Sequence, residues 1–221
     1  WIEEKQCFAI GLDYDKQQID SLASNMGHCL WTGIVDEEKA GAVASHLASP
    51  EMFSGWGLRT LATSMAGFNP MSYHGGSVWP HDTAIAIAGL ARYGFIEEAH
   101  QLLQGLVGAA SFFGNRMPEL FVGISSDGLG FPVSYPTSCS PQAWSAASPL
   151  LMLRSMLGFE PNVANAEINL APNIPEWIGS IEVRGIPLMG GNLSLIANGD
   201  SLEVLESPDG LTVVRSARRP H

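Results

Sequence analysis

Between Tyr73 and Asp82 the chain reads Tyr-His-Gly-Gly-Ser-Val-Trp-Pro-His-Asp. Two aromatics, two imidazoles, a carboxylate and a hydroxyl stand in one run, hinged on Gly75-Gly76 and stopped by Pro80. Aromatic faces can stack on a neutral ligand while the imidazoles and the carboxylate hydrogen-bond to it. The bland alternative is a buried loop whose polar groups only satisfy one another. The run leads straight into Thr83–Tyr93, which is almost entirely small and apolar. Pro80 suits the first position of that helix and Asp82 its positive end. A helix apolar on nearly every face must be buried, so a polar, aromatic loop is delivered onto the end of a buried helix.

The elements that must position this loop are mostly helical by pattern. Residues 1–12 read as an extended entry segment. Lys16–Trp31 reads as a helix in two parts, with Ser24-Asn25-Met26-Gly27-His28 as a polar break. Asp36 is the expected cap of a helix over Glu37–Leu47, whose Ala40, Val43, Ala44 and Leu47 share one face. Ser49-Pro50-Glu51 opens a shorter helical piece, followed by a second polar-aromatic loop, Ser54 to Thr60. Further helices are expected from about Ile96 to Phe113 and from Ser140-Pro141 to about Leu157, the latter kinked at Pro149. The connection 114–140 is long, but Leu120, Phe121, Phe131 and Tyr135 make it an ordered loop. Strands are expected only before about Leu12 and after about Asn165. Alternating runs at 168–170, 181–183, 193–195, 202–204 and 211–213 read as a small antiparallel sheet. Arg215–His221 reads as a frayed basic tail.

Composition excludes several classes of partner. The 221 residues are 46% hydrophobic, enough to bury a sizeable core. A formal net charge of −11 with eleven Lys and Arg argues against nucleic acid and anionic membrane. Only 15% of residues are charged, below the roughly 25% of ordinary soluble domains. Low charge with six Trp and nine Phe suits a neutral ligand read by stacking and hydrogen bonds, or a large buried interface. Cys7, Cys29 and Cys139 form neither a zinc pattern nor a disulfide framework, so three reduced, mostly buried thiols in a cytoplasmic protein are expected. No run of eighteen apolar residues occurs. The chain starts at Trp1 rather than Met, which suggests a longer parent.

Five blocks, taken in order, carry a resemblance. They are Ser24 to Gly33, Phe53 to Leu61, Tyr73 to Asp82, Arg116 to Phe121 (Arg-Met-Pro-Glu-Leu-Phe) and Cys139 to Trp144 (Cys-Ser-Pro-Gln-Ala-Trp). Together they resemble the C-terminal blocks of glycogen-debranching amylo-α-1,6-glucosidases, which are six-hairpin, (α/α)6-toroid glycosidases. The resemblance implies a mainly α fold, the C-terminal half of such a toroid over 1–160, with a small antiparallel β appendage over 161–221 packed on it. It also implies hydrolysis of an α-glucosidic bond, α-1,6 in glycogen-like glucans, by an inverting pair of carboxylates.

By position Glu119 matches the family's general base. It is the only carboxylate between Glu98 and Asp127, in an apolar loop where desolvation would raise its pKa. A salt bridge to Arg116 is its structural alternative, and Arg116 could also orient it. The general acid belongs to an earlier hairpin of the family, upstream of Trp1. Asp82, with His81 and His74, is assigned to sugar hydroxyls, though either histidine could be structural. Trp31, Trp56, Trp79 and Trp144 could form a stacking wall, and Tyr73, Gln142 and Arg59 complete the polar set. Neither metal nor cofactor is expected. The expected partners are an α-glucan or oligosaccharide, and either the N-terminal remainder of the protein or a second copy. The chain alone is expected to be inactive. A six-hairpin sugar isomerase or epimerase, leaning on His74 and His81, and a non-catalytic carbohydrate-binding fragment remain as alternatives.

Overall fold

The computed structural model describes residues 1–216, so the end of the expected basic tail, 217–221, lies outside the described residues. The chain forms two compact units, residues 1–152 and residue 153 onward. Among the described residues there are five α-helices and eight strands in three sheets, 31% helix against 21% strand. That balance overturns the mainly α, half-toroid expectation. Stretches 49–79 and 113–142 carry no α-helix. Their Gly, Pro and Ser hold the backbone in turns and short bridges instead.

In the first unit, β1 (Gly11–Leu12) and β2 (Gln18–Ile19) pair antiparallel across a turn in which Asp13 Oδ1 accepts from Gln17 N–H. A strand thus stands where the first part of the Lys16–Trp31 helix was expected. The supposed break is itself helical, because α1 runs Asn25–Thr32. Gly27 is the reason. It lies where α1 crosses α3 (Pro80–Arg92), and an added Cβ there would meet Ala86 Cβ at 2.6 Å. Gly89 of α3 is the reciprocal contact, with space for a Cβ closed by Gly27 O at 2.8 Å and Trp31 N at 2.7 Å. The glycines let two backbones touch, a gain in packing that outweighs their low helix propensity.

The second helix, α2 (Glu37–Ala48), buries Ala40, Val43, Ala44 and Leu47 as expected. Asp36 occupies its N-cap position, but the carboxylate takes Lys39 Nζ at 2.7 Å instead of capping a backbone N–H. From Pro80 on, α3 buries ten of its thirteen residues, and α4 (Ile96–Phe112) packs beside it with Leu102, Leu103, Leu106 and Ala109 inside. The expected piece after Ser49 is a turn. The fifth helix, α5 (Ala143–Leu157), runs on through Pro149, and the chain passes from one unit to the other within it.

Loops rather than helices make the floor beneath the Tyr73–Asp82 run. Single antiparallel bridges join Arg59 to Val78, Val78 to Phe121 and Phe121 to Ser134, so four distant segments lie side by side. Val78 and Phe121 exchange both backbone hydrogen bonds at 2.9 Å, and both side chains are fully buried. Segment 114–140 is ordered by this ladder.

The second unit holds β3 (Glu160–Asn162), β4 (Glu167–Asn169), β5 (Ser180–Leu188), β6 (Gly191–Asn198), β7 (Ser201–Glu206) and β8 (Thr212–Val214). The single antiparallel sheet expected here is two sheets: β5-β6-β7 is an antiparallel meander, and β3-β4-β8 contains a parallel β4–β8 pair. Leu193, Leu195 and Ala197 alternate into a core with Leu157, Ile168, Leu170, Ile174 and Leu202. Arg215 and Ser216 are tied down, by Arg215 Nη2 to Leu202 O at 2.6 Å and Ser216 N–H to Asn169 Oδ1 at 3.0 Å. No cysteine is bridged; Cys7 is buried, Cys29 half-buried and Cys139 exposed, so the thiols are not mostly buried. Among the described residues no helix is long and apolar enough to cross a membrane.

Candidate functional site

The ladder sets one ring cluster around one carboxylate in the first unit. Glu119 precedes the Phe121 bridge by two residues, and its backbone N–H donates to Cys139 O at 3.0 Å. Its side chain then takes three donors. Tyr73 Oη lies 2.7 Å from Oε1, the Cys139 N–H lies 3.1 Å from Oε2, and Gln142 Nε2 reaches Oε1 at 3.4 Å. Segments around 73, 119 and 139–142 therefore converge on one carboxylate. Arg116 is exposed and is not among its partners, which removes the salt-bridge alternative.

The expected rise in the Glu119 pKa is reversed. The Tyr73 hydroxyl first, and the Cys139 N–H second, hold it below the ordinary glutamate value, while burial opposes them. Glu119 is 6% exposed, yet it is covered by hydrogen-bonding partners rather than sunk in apolar surroundings, so dehydration is the smaller effect. The shared proton pushes the Tyr73 phenol up to about 12. The result is an ionised carboxylate with a neutral phenol donor.

Around it the rings interlock. Tyr73 meets Trp79 edge-on at 4.9 Å and Tyr135 at 5.8 Å, His74 stacks on Trp79 at 5.7 Å, and His81 stacks on Trp144 at 4.3 Å and 12°. Trp79 Nε1 donates to Tyr73 O and Ser77 Oγ, both at 3.1 Å, which fixes the loop's return onto itself. Half-exposed Trp144 and exposed Tyr73 leave ring surface free for a ligand.

At the start of α3, Asp82 is 8% exposed, and its Oδ1 pairs with His28 Nε2 of α1 at 2.8 Å. The Asp82 bond, the largest influence, raises the His28 pKa, whereas burial lowers that of His81. His81 lies within electrostatic reach of Asp82, His28 and Glu119. His28 and Cys139 are the residues that sequence reasoning passed over. The only signal for His28 was its membership of the Ser24–Gly33 block, and Cys139 acts through a backbone N–H that no side-chain pattern announces.

Besides Arg116, three expected residues stay outside this cluster. Trp56 turns to Phe112, 5.6 Å away at the end of α4. Trp31 shares no ring contact with the cluster among the described residues. Arg59, only 3% exposed, donates to the carbonyls of Gly123, Pro50 and Glu51, so it fastens loops rather than awaiting a sugar. Among the described residues no group of three potential metal ligands gathers.

Residues 1–114 match the family of the mannosylglycerate hydrolase MGH1-like glycoside hydrolase domain. The chain belongs to this family. The family is one of glycoside hydrolase domains, in keeping with the class expected from the sequence, but it is not that of the debranching glucosidases. No curated protein matches the chain. Among solved structures, the GH63 mannosylglycerate hydrolase from Thermus thermophilus in complex with glucose is 19% identical, with a TM-score of 0.50 over 63% of this chain and 32% of that one. The same hydrolase in complex with Tris gives 18% identity and a TM-score of 0.50 over 63% and 31%. At such identity the likeness is one of fold, and the chain spans about a third of the length of the structures it resembles.

Proposed function

We propose that the chain carries the general base and part of the sugar-binding wall of an inverting glycoside hydrolase acting on an α-linked neutral sugar. The observation that carries this reading is the Glu119 carboxylate, held ionised by Tyr73 and the Cys139 N–H beside a half-open ring cluster. A base must be deprotonated while it takes a proton from water, and two donors keep it so without removing its basic lone pairs. Tyr73, His74, Trp79, His81 and Trp144 supply the wall on which a sugar ring stacks. Asp82, already joined to the His28 imidazole, suits a hydrogen-bond acceptor rather than a proton donor. The resemblance of the sequence blocks implies an acid carboxylate on an earlier hairpin.

Family membership and the glucose-bound neighbour support a small glycoside as substrate. An α-1,6 branch in a glucan is the narrower form, supported by the five sequence blocks. Mannosylglycerate and an α-1,6-branched oligosaccharide, offered to the full-length protein, separate the two. Glu119→Gln in that protein keeps shape and removes the base, so kcat falls about 10²–10⁴-fold with sugar binding kept. Asp82→Asn weakens binding and turnover together, because a hydroxyl contact acts in ground and transition states alike. Equal, small losses from the two substitutions would show that Glu119 is not the base.

A further inference from the structure

Asp82 Oδ2 and His81 Nδ1, on consecutive residues in the first turn of α3, are both buried without a hydrogen-bond partner. Buried polar atoms are rarely left so. The neighbouring oxygen, Asp82 Oδ1, is taken by His28, which reaches it from α1 across the Gly27–Ala86 crossing. The pair is half in solvent: the His28 side chain is 43% exposed and the Asp82 side chain 11%, so the imidazole satisfies one oxygen of a carboxylate that is otherwise buried. The carboxylate so engaged is next in sequence to His81, whose ring stacks face to face with Trp144 in the cluster around Glu119.

We propose that His28 is a positioning residue of the sugar site, acting through the Asp82 carboxylate on the protonation of His81. His28 on α1 contacts Asp82 on α3, and both, with Glu119 from the ladder, lie within electrostatic reach of His81. With His28 charged, the Asp82 carboxylate is neutralised from the solvent side, and His81 stays a neutral ring that can stack and accept as well as donate. Without that charge, the carboxylate faces His81 alone and favours an imidazolium there, beside Glu119. A protonated His81 would draw on the base. The proposal rests on the reading of the cluster as a glycoside site, whereas its first test does not.

That test follows the imidazole resonances of the chain itself by ¹⁵N-edited NMR across pH, with His81→Gln used for assignment. In His28→Gln, which keeps a donor but loses the charge, the titration of His81 moves up. In Asp82→Asn the titration of His28 moves down, so the coupling is read from both ends even if one variant folds poorly. An unmoved His81 in folded His28→Gln, or an unmoved His28 in folded Asp82→Asn, overturns the proposal and leaves a structural tie. In the full-length hydrolase, His28→Gln should change the shape of the pH profile of kcat/KM and not merely its height. A profile lowered uniformly would likewise overturn it. Absence of hydrolysis in the unsubstituted protein would instead remove the glycosidase reading, with the NMR coupling intact.

Discussion

Gly27→Ala tests the helix crossing on which the site depends. The added Cβ would lie 2.6 Å from Ala86 Cβ and 2.9 Å from Ala86 Cα, whereas carbon atoms rest at about 3.5–4.0 Å. The shortfall is about 1 Å, and half of it is against backbone, which has no rotamer to escape into. Overpacking of this kind costs about 1–3 kcal/mol, and the rigid neighbour places this case in the upper half. His28 follows Gly27 directly, so parting α1 from α3 by that distance also stretches the 2.8 Å bond to Asp82 beyond hydrogen-bonding range. Gly41→Ala is the control. Gly41 sits within α2 with nothing inside 4 Å of its added Cβ. There the same substitution should stabilise by about 0.5–1 kcal/mol through helix propensity. Urea unfolding followed by helical circular dichroism reads both, since α1 to α4 lie wholly in the first unit. Equal effects of the two substitutions, or no loss from Gly27→Ala, would refute the close crossing.

Tyr73→Phe removes the largest influence that lowers the Glu119 pKa, so, with Glu119 as the proposed base, the acid limb of the kcat/KM profile in the full-length protein moves to higher pH. The sign is fixed: a base works when deprotonated, and a depressed pKa extends activity downward. An acid limb left in place would separate Tyr73 from Glu119. The same linkage makes the Glu119 contribution to stability present above the unfolded glutamate pKa and lost as pH falls through the folded one. Arg59→Met takes the guanidinium donor from the carbonyls of Gly123 and Pro50, while Glu51 O keeps the Thr63 N–H, at a cost of about 1–3 kcal/mol measured by denaturation. Loss of sugar affinity at unchanged stability would return Arg59 to the binding set.

Local chemistry was readable from the sequence wherever the cause is local. Pro80 and Asp82 mark the start of α3, its apolar run demands burial, and Ala40, Val43, Ala44 and Leu47 define the inner face of α2. The order of the polar-aromatic blocks pointed to a glycoside hydrolase because the residues that grip sugars are concentrated in a few short loops. Tertiary structure decided the rest. Gly27 reads as a helix breaker until Ala86 is set against it, and Trp56 reads as a sugar platform until Phe112 takes its face. The direction of the Glu119 pKa could not be read from an apolar neighbourhood. It turns on Tyr73, 46 residues earlier, and on a backbone N–H at Cys139, 20 residues later. Hydrogen bonds outweigh desolvation there because the ladder of single bridges delivers both donors to one carboxylate, and such long-range pairing leaves no periodic trace in a chain.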